Sequence, residues 1–309
     1  MHRSLWLASI GLILAVASIT DVSAAGSMVP AQTPALRAAT EDLKTCAEGA
    51  GDVSIAACTR AIDSALWNEE TMHSLHYLRA SLYRNKGDHE HAIADYDVLL
   101  RFDPNDSVVY AHRGTARREL GDDFSAIADL SEAIRLDPNY AYAFNERGNA
   151  RRRMGDFDKA MMDYDEAIRL DPKDGAAFVN RGLAWSQMDD YDKAIADLSE
   201  AIKLGQHVAV ALDFRAYARL DRGDYDGAIA DLSELIRRDP DNVDLIRRRG
   251  LVWGAMGEHD RAIEDFSAMI RLDPNNGDRY RDRANAWQTK GDMDRAHADR
   301  AKAMQLMMQ

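Results

Sequence analysis

Four histidines that stand close together in the sequence are the first candidates for chemistry. His73 and His76 would share one face of a helix, a spacing at which two side chains can ligate a metal ion. His89 and His91 follow a break at Gly87 and would begin a second helix. At about 1.5 Å per residue, an antiparallel hairpin separates the two pairs by about 15–20 Å. We therefore expect neither a metal site nor a cofactor in this chain.

Other catalytic patterns are missing from the sequence. It contains no glycine-rich phosphate loop, no nucleophile elbow and no HExxH motif. The many carboxylates recur with a fixed period, so no isolated pair stands out as a general acid and base. We expect a protein that is not an enzyme.

Residues 1–24 have the layout of a secretory signal peptide. A basic start that includes Arg3 is followed by an apolar run from Leu5 to Ile19 and then by small residues up to Ala24. The apolar run is shorter than the roughly 20 residues that a membrane span needs, although an uncleaved anchor remains the alternative. We expect an exported protein, periplasmic or secreted, with a linker over residues 25–35.

The two cysteines, Cys46 and Cys58, lie in the first segment after the linker. Residues 36–49 and 53–66 have the pattern of amphipathic helices, with a turn at 50–52, so the cysteines lie at similar distances on either side of that turn. In an exported protein an even number of cysteines favours a disulfide. We predict a bridge between them, with two buried free thiols as the alternative.

The composition argues against several kinds of partner. The 309 residues include 52 acidic and 39 basic side chains, which gives a formal net charge of −13. A nucleic-acid binder needs a surplus of bases for phosphate contacts, and attraction to anionic lipid needs the same. Aromatic residues are 7% of the chain and Ala, Leu, Arg and Asp are abundant, which favours an all-α fold. We expect no nucleic-acid partner and no membrane-embedded domain.

A repeat of 34 residues organises the chain after residue 72. Gly recurs at 87, 121, 155, 223, 257 and 291, and Asp-Pro recurs at 103–104, 137–138, 171–172, 239–240 and 273–274. In one unit, Gly121 ends a first helix, Asp122 or Asp123 caps a second, and Asp137-Pro138 ends the second. Each unit is therefore predicted to be two antiparallel helices of about 13 residues, which must stack on neighbouring units to bury their apolar faces.

The pattern resembles the tetratricopeptide repeat (TPR) family. Seven units match, at 73–106, 107–140, 141–174, 175–208, 209–242, 243–276 and 277–309. The matches are a bulky fourth residue (Tyr110, Phe144, Phe178, Tyr280), a small eighth, Ala at the twentieth and Pro at the thirty-second. The aromatic eleventh residue survives as Tyr83, Trp185, Trp253 and Trp287 but is Arg at 117, 151 and 219. The resemblance implies a right-handed α-α superhelix, with residues 36–72 as a degenerate capping hairpin.

The fourth unit departs from the repeat at two places. Asp189 stands where Gly is expected, and Gly205-Gln206 stands where Asp-Pro is expected. The turn over 204–208 either alters the pitch of the stack, acts as a hinge, or has drifted without consequence.

Charged residues recur at two positions of every unit. Arg occupies the seventh position and Asp the twenty-third, in the first and the second helix respectively. The planar guanidinium of Arg can bond a carboxylate through two N–H groups, so we predict pairing across the helix interface. An anion-binding track along the Arg residues is the alternative.

The resemblance also implies a binding groove lined by repeat positions two, five, nine, twelve and thirteen of the first helices. In its N-terminal half these positions supply Tyr77, Arg84, Arg118, Tyr142, Asn145, Asn149, Arg152 and Arg153. In its C-terminal half they supply Val179, Leu183, Tyr217, Leu220, Arg247, Leu251, Arg281 and Asn285. We expect Arg to hold carboxylates of a peptide and the apolar residues to hold its hydrophobic side chains. The Lys-and-Asn clamp of TPR cochaperones is absent, because no Lys occupies position five.

The last helix is predicted over 292–309 and ends in Met304, Leu306, Met307 and Met308. No polar capping helix follows in the sequence, so this end either self-associates through adaptable Met contacts or frays. The function that these features favour is a non-catalytic scaffold of the bacterial cell envelope that binds protein or peptide segments. The alternative is a glycan-associated module that aids polysaccharide export or peptidoglycan enzymes.

Overall fold

The computed structural model describes residues 33–308, and within them the chain forms sixteen α-helices. The predicted signal peptide and most of the predicted linker lie outside the described residues. Two compact units meet in the sequence at Leu170 and Asp171, and we call them the N-terminal unit and the C-terminal unit. The N-terminal unit holds α1 Pro34–Glu48, α2 Gly51–Asp63, α3 Glu69–Lys86, α4 His89–Phe102, α5 Ser107–Glu119, α6 Asp123–Leu136, α7 Ala141–Arg153 and α8 Phe157–Leu170. The C-terminal unit holds α9 Gly175–Gln187, α10 Tyr191–Lys203, α11 Val208–Arg222, α12 Tyr225–Arg238, α13 Val243–Ala255, α14 His259–Leu272, α15 Gly277–Lys290 and α16 Met293–Met307.

Within each unit every helix packs against the next one along the chain. The predicted hairpins are present, and their helices have 13 to 15 residues except for α3, which has 18. Asp122 is the cap of α6, since its side chain accepts a hydrogen bond from the Ser125 N–H at 3.1 Å. The all-α prediction is confirmed, and the pairwise packing is that of a TPR solenoid.

The N-terminal hairpin and the helix that follows it begin earlier than the sequence suggests. Helix α2 begins at Gly51, inside the predicted turn at 50–52. Helix α3 begins at Glu69, four residues before the predicted start of the first unit at 73. The reason is local, because the Asn68 side chain accepts a hydrogen bond from the Thr71 N–H at 2.9 Å and caps the helix there.

The core repeats with the sequence. Ala at the twentieth position is fully buried in every unit, and a bulky residue at the twenty-fourth position packs against a small residue at the eighth. A Cβ added to Gly114 would lie 2.8 Å from Leu130 Cγ, and one added to Gly148 would lie 2.6 Å from the Tyr164 ring. The small eighth residue is therefore required by the close approach of the two helices of a hairpin.

The fourth repeat keeps its turns although the expected Gly and Asp-Pro residues are missing. Asp189 adopts a φ of 61°, the left-handed conformation that Gly121 adopts with a φ of 91° in an earlier unit. In the turn over 204–208, the Gln206 side chain accepts a hydrogen bond from the Gly175 N–H at 3.1 Å and donates one to the Lys173 carbonyl at 3.0 Å. These bonds fasten the turn to the start of α9, which favours a fixed connection over a hinge.

Candidate binding face

The charged ladders pair across the helix interface, as predicted. In every unit the Arg at position seven donates from Nε and from a terminal nitrogen to the Asp at position twenty-three, over 2.6 to 3.3 Å. All seven Asp residues are buried. The pairs are Arg79–Asp95, Arg113–Asp129, Arg147–Asp163, Arg181–Asp197, Arg215–Asp231, Arg249–Asp265 and Arg283–Asp299. Because these donors are engaged in the interior, the ladder is structural and does not form an anion track.

The same arginines also join consecutive hairpins, a role that the sequence analysis missed. The remaining terminal nitrogen donates to a side-chain oxygen at position twenty-five of the preceding unit, over 2.6 to 3.1 Å. These bonds are Arg113 to Asp97, Arg147 to Ser131, Arg215 to Ser199, Arg249 to Ser233 and Arg283 to Ser267. The recurrence of Ser or Asp at position twenty-five was the available signal.

The residue at position eleven contacts the second helix in one of two ways, which explains why Arg replaces an aromatic residue in three repeats. There the second Arg donates to the buried Asp of its own unit, in the pairs Arg117–Asp129, Arg151–Asp163 and Arg219–Asp231 at 2.7 to 2.9 Å. In the other four units an aromatic ring stacks with the side chain at position nineteen, in the pairs Tyr83–His91, Trp185–Lys193, Trp253–Arg261 and Trp287–Arg295. The buried Asp thus accepts from two guanidinium groups in three units and from one in the others.

The predicted groove residues of the N-terminal unit form what we call the N-terminal face: Tyr77, Arg84, Arg118, Tyr142, Asn145, Asn149, Arg152 and Arg153. Three of them surround His112 of α5. The rings of Tyr77 and Tyr142 lie 6.0 and 5.7 Å from the His112 ring, and Arg84 Nη1 lies 3.0 Å from His112 Nδ1. The structure therefore brings together side chains from α3 and α7 over a histidine that the sequence analysis did not single out.

A second cluster of the N-terminal face centres on Glu146, which is 8% exposed. Arg118 pairs with Glu146 at 2.9 Å, and the Tyr164 hydroxyl donates to Asn149 Oδ1 at 2.9 Å. Burial raises the pKa of Glu146 and outweighs the lowering effect of Arg118. Burial also raises the pKa of Tyr142 to about 12. Two of the predicted contact residues, Asn145 and Asn149, are buried, and Asn149 donates a hydrogen bond to Glu146 at 3.4 Å.

Arg153 is the exposed member of the N-terminal face. Its Nη1 donates to the Arg118 carbonyl at 2.7 Å, and its Nε lies 3.3 Å from Asp123. Arg152 is half-buried and its charge lowers the pKa of Tyr164, although burial of Tyr164 has the larger, opposite effect. Most of the predicted Arg groups on this face therefore already have partners within the chain.

The predicted groove residues of the C-terminal unit form the C-terminal face: Val179, Leu183, Tyr217, Leu220, Arg247, Leu251, Arg281 and Asn285. Tyr217 and Leu251 are 48% and 47% exposed, both at repeat position nine. Val179 is only 5% exposed and belongs to the core. Leu183 and Leu220 are half-buried against the core clusters. The exposed apolar residues of this face are therefore Tyr217 and Leu251.

The arginines of the C-terminal face are paired. Arg247 contacts Asp282 at 2.6 Å and Arg281 contacts Asp278 at 2.8 Å. Asn285 is exposed. Arg248, which the sequence analysis did not select, lies over the Tyr217 ring at 4.0 Å. The charges of Arg247 and Arg281 are therefore compensated by carboxylates of the chain.

Position six of the first helices is the position that sequence reasoning overlooked. Its residue contacts position five or twelve of the preceding first helix, in the pairs His112–Arg84, Glu146–Arg118, Arg248–Asp213 and Asp282–Arg247. The signal was compositional, because this position changes from Leu78 and Phe214 to charged or polar residues in the other units.

Two of the histidines considered for metal binding, His73 and His76, contact different side chains of the chain. His76 Nδ1 lies 2.7 Å from Asp95, and His73 lies beside the Phe102 ring. Burial would raise the pKa of Asp95, but hydrogen bonds from Arg79 and His76 outweigh it and lower the pKa below its usual range. Residues 33–308 contain no cluster of His, Cys, Asp and Glu that could hold a metal ion. Nor does this part of the chain contain a helix with the length and apolar character of a membrane span.

Comparisons with known proteins identify the repeat. Family models described as tetratricopeptide repeat match residues 73–106, 141–174, 176–204 and 215–277, and a model described as TPR repeat matches residues 114–155. A sequence comparison with curated proteins gives no match.

Solved structures share the fold at low sequence identity. A tetratricopeptide repeat protein from Parabacteroides merdae is 21% identical, with a TM-score of 0.52 over 76% of this chain and 93% of its own. PilW, a widely conserved type IV pilus biogenesis factor, is 19% identical, with a TM-score of 0.59 over 67% of this chain and 96% of its own. YrrB, a TPR protein with an unusual peptide-binding site, is 18% identical, with a TM-score of 0.50 over 57% and 91% of the two chains.

Proposed function

We propose, because the chain belongs to the tetratricopeptide repeat family, that it is a non-catalytic scaffold that binds peptide or protein segments on its first-helix faces. Domains of this family are typically non-catalytic and bind proteins. The observation that carries the proposal is the exposure of two large apolar side chains on the C-terminal face, Tyr217 at 48% and Leu251 at 47%. Tyrosine is among the residue types that contribute most to binding when a partner covers them, and a covered leucine adds buried apolar area.

The proposal of a peptide or protein ligand also draws on a structural neighbour. YrrB is described as having an unusual peptide-binding site, and we extend peptide binding to this chain. Arg118, Arg247 and Arg281 are paired with carboxylates of the chain. We therefore expect them to contribute less to ligand affinity than the apolar residues do. We therefore expect hydrophobic side chains of the ligand to supply most of the affinity at the C-terminal face.

We place the protein in the bacterial cell envelope. Residues 1–24 have the pattern of an export signal. A disulfide between Cys46 and Cys58 is typical of proteins in an oxidising compartment. Fractionation of cells that produce the full chain, with detection of the mature protein in the periplasm or medium, tests this placement.

Replacing both Tyr217 and Leu251 by Ser is expected to weaken binding of the partner at least tenfold. Fully burying an exposed apolar side chain contributes about 1.5–3 kcal/mol. About half of each side chain is still exposed, so covering the two together contributes about that amount, which exceeds the roughly 1.4 kcal/mol that corresponds to tenfold. The partner is first captured in intact cells by a photo-crosslinking residue at position 251. Its affinity for the two forms is then measured with purified proteins.

Phe124 provides the matched control, because it is 78% exposed but lies on a second helix. Phe124→Ser should leave the affinity unchanged. Equal binding by the double variant and the unchanged chain would contradict a role for the C-terminal face. Binding of isolated cell-wall or acidic polysaccharide in place of protein, weakened by salt, would favour the glycan-associated alternative.

We also propose that the last helix mediates contact between copies of the chain. Met304, Met307 and Met308 are 61%, 54% and 87% exposed at the end of α16. Replacing Met304 and Met308 by Glu should convert a dimer into a monomer in sedimentation equilibrium, because two apolar contacts become like-charge contacts. Monomeric behaviour of both forms at every concentration would remove this proposal.

A further inference from the structure

The second residue of the second helices is acidic in every hairpin of residues 33–308 except one. An acid at this place is favoured by the helix dipole, which is positive at the start of a helix. The acids are Asp52, Glu90, Asp158, Asp192, Asp226, Asp260 and Asp294. In α6 the second residue is Phe124, whose side chain is 78% exposed. Phe124 therefore replaces a stabilising charge by an aromatic ring that lies in solvent.

Three of the acids pair with the residue at position fourteen of the next hairpin, at the end of its first helix. The pairs are Lys86–Asp52, Arg222–Asp192 and Lys290–Asp260. In the second pair, Arg222 Nε lies 2.9 Å from Asp192 Oδ1. These ion pairs join consecutive hairpins along the edge where first helices turn into second helices, which we call the turn edge.

At the junction between α6 and α7 both of these positions are apolar. Phe124 stands in place of the acid and Met154 in place of the base. The residues immediately before them, Asp123 and Arg153, contact each other at 3.3 Å, so the register of the ion pairs is kept. Met154 is 42% exposed, and Leu120, which follows α5, is 47% exposed. We call Leu120, Phe124 and Met154 the turn patch.

Carboxylates flank the turn patch on both sides along the turn edge. Glu90 precedes Phe124 by one repeat and Asp158 follows it by one repeat, and both are exposed. Asp122, in the turn between Leu120 and Phe124, is exposed as well. An exposed apolar patch with a polar rim indicates an interaction surface, and a rim of one charge favours a partner of the opposite charge.

We propose that the turn patch is a second docking surface, whose partner is a protein segment with apolar side chains flanked on both sides by Lys or Arg. The apolar side chains cover Phe124 and Met154, and the basic side chains lie against Glu90 and Asp158. A second copy of the chain fits less well, because its net charge of −13 brings acids against this rim. The surface goes beyond the proposed function, because it belongs to the starts of second helices and not to the first-helix faces.

Binding of three fluorescein-labelled peptides to the whole chain, followed by fluorescence anisotropy, tests the proposal. The first peptide is Lys-Lys-Leu-Trp-Leu-Lys-Lys, the second has Ser in place of its apolar residues, and the third has Glu in place of its lysines. At low ionic strength the first peptide should bind about tenfold or more tightly than either of the others. It alone supplies both apolar area and positive charge.

Phe124→Ser should weaken binding of the first peptide about tenfold or more, because most of an exposed phenyl ring is no longer there to be covered. Replacing Glu90 by Gln and Asp158 by Asn should weaken it about fivefold at low salt, the effect of two exposed ion pairs, and little at about 1 M salt. Met162→Ser is the matched control and should bind unchanged, since Met162 is 70% exposed in the middle of α8.

The double variant Phe124→Asp, Met154→Lys separates binding from stability. It places at this junction the kind of pair that Asp260 and Lys290 form. The variant should therefore unfold at the same urea concentration as the unchanged chain, or at a higher one, and should lose the first peptide. A lower midpoint would show that the two apolar residues serve the fold and would overturn the proposal.

The proposal also fails if the first peptide does not bind, if the three peptides bind alike, or if Phe124→Ser and Met162→Ser bind the first peptide equally. It fails as well if sedimentation without peptide shows a dimer that Phe124→Ser abolishes, because the occupant is then a second copy. The result is separable from the proposed function. The double variant of Tyr217 and Leu251 should bind the first peptide unchanged, and Phe124→Ser should retain the partner captured at position 251.

Discussion

Replacing Asp231 by Ala is expected to lower the free energy of unfolding by about 3–5 kcal/mol, because the change leaves buried guanidinium groups without a counter-charge. Asp231 is 2% exposed and accepts from Arg215 at 2.6 and 3.0 Å and from Arg219 at 2.7 Å. Arg215 also donates to Ser199 of the preceding hairpin at 2.8 Å. The loss therefore loosens α11 against α12 and disturbs the junction with α10. Urea unfolding of the whole chain, followed by circular dichroism, measures the effect.

Asp265 has the same position in the next repeat and offers a comparison within the C-terminal unit. It accepts from Arg249 only, because Trp253 occupies position eleven and stacks with Arg261. Asp265→Ala should therefore cost less than Asp231→Ala, since one guanidinium is left unpaired and not two. Asp241, which is exposed in the preceding turn, is the neutral control. Equal losses for Asp231→Ala and Asp241→Ala would show that the buried pairs contribute nothing to stability.

The ladder could be predicted from sequence because it obeys the period. Once Arg and Asp recur 34 residues apart, the geometry of one hairpin fixes their contact in all of them, and a single deduction covers seven pairs. The same logic gave the order of the helices and a cap at Asp122 or Asp123, and in the structure the cap is Asp122. It failed at α3, where the local cap at Asn68 extends the helix beyond the repeat boundary.

The candidate faces were less predictable, because their contacts join neighbouring repeats. The contacts between the first helices of neighbouring repeats depend on the lateral offset between those repeats. The period of the sequence does not contain that offset. His112 and Arg248 were missed for this reason. Conversely, Val179 and Asn145 stand at groove positions by register, but helix packing leaves them 5% and 4% exposed.

Position eleven shows that sequence departures can be informative. Arg117, Arg151 and Arg219 weaken the resemblance to the family pattern, but each adds a second guanidinium to the buried Asp of its unit. The aromatic alternative stacks with a cation or a histidine at position nineteen. Both arrangements therefore join the two helices of a hairpin, one through an ion pair and the other through a stacked ring.

Reduction of the disulfide is expected to destabilise the N-terminal hairpin by about 3 kcal/mol, the effect of opening a loop of this length in the chain-entropy account. Cys46 and Cys58 are 2% and 0% exposed and join α1 to α2. Both belong to the same core cluster as Leu75 of α3, so the bridge also helps to hold the hairpin against the first repeat. Hydrogen exchange in the oxidised and reduced protein should show the loss confined first to α1 and α2, because the later hairpins have their own ion pairs.

The double variant Cys46→Ala, Cys58→Ala separates this effect from other actions of a reducing agent. It should unfold like the reduced protein, and adding reductant to it should change nothing. The exposed ion pair between Asp42 and Arg60, which also links α1 to α2, is a matched comparison, and Arg60→Ala should cost less than about 1 kcal/mol. If the oxidised chain, the reduced chain and the double variant all unfold alike, the bridge contributes no stability.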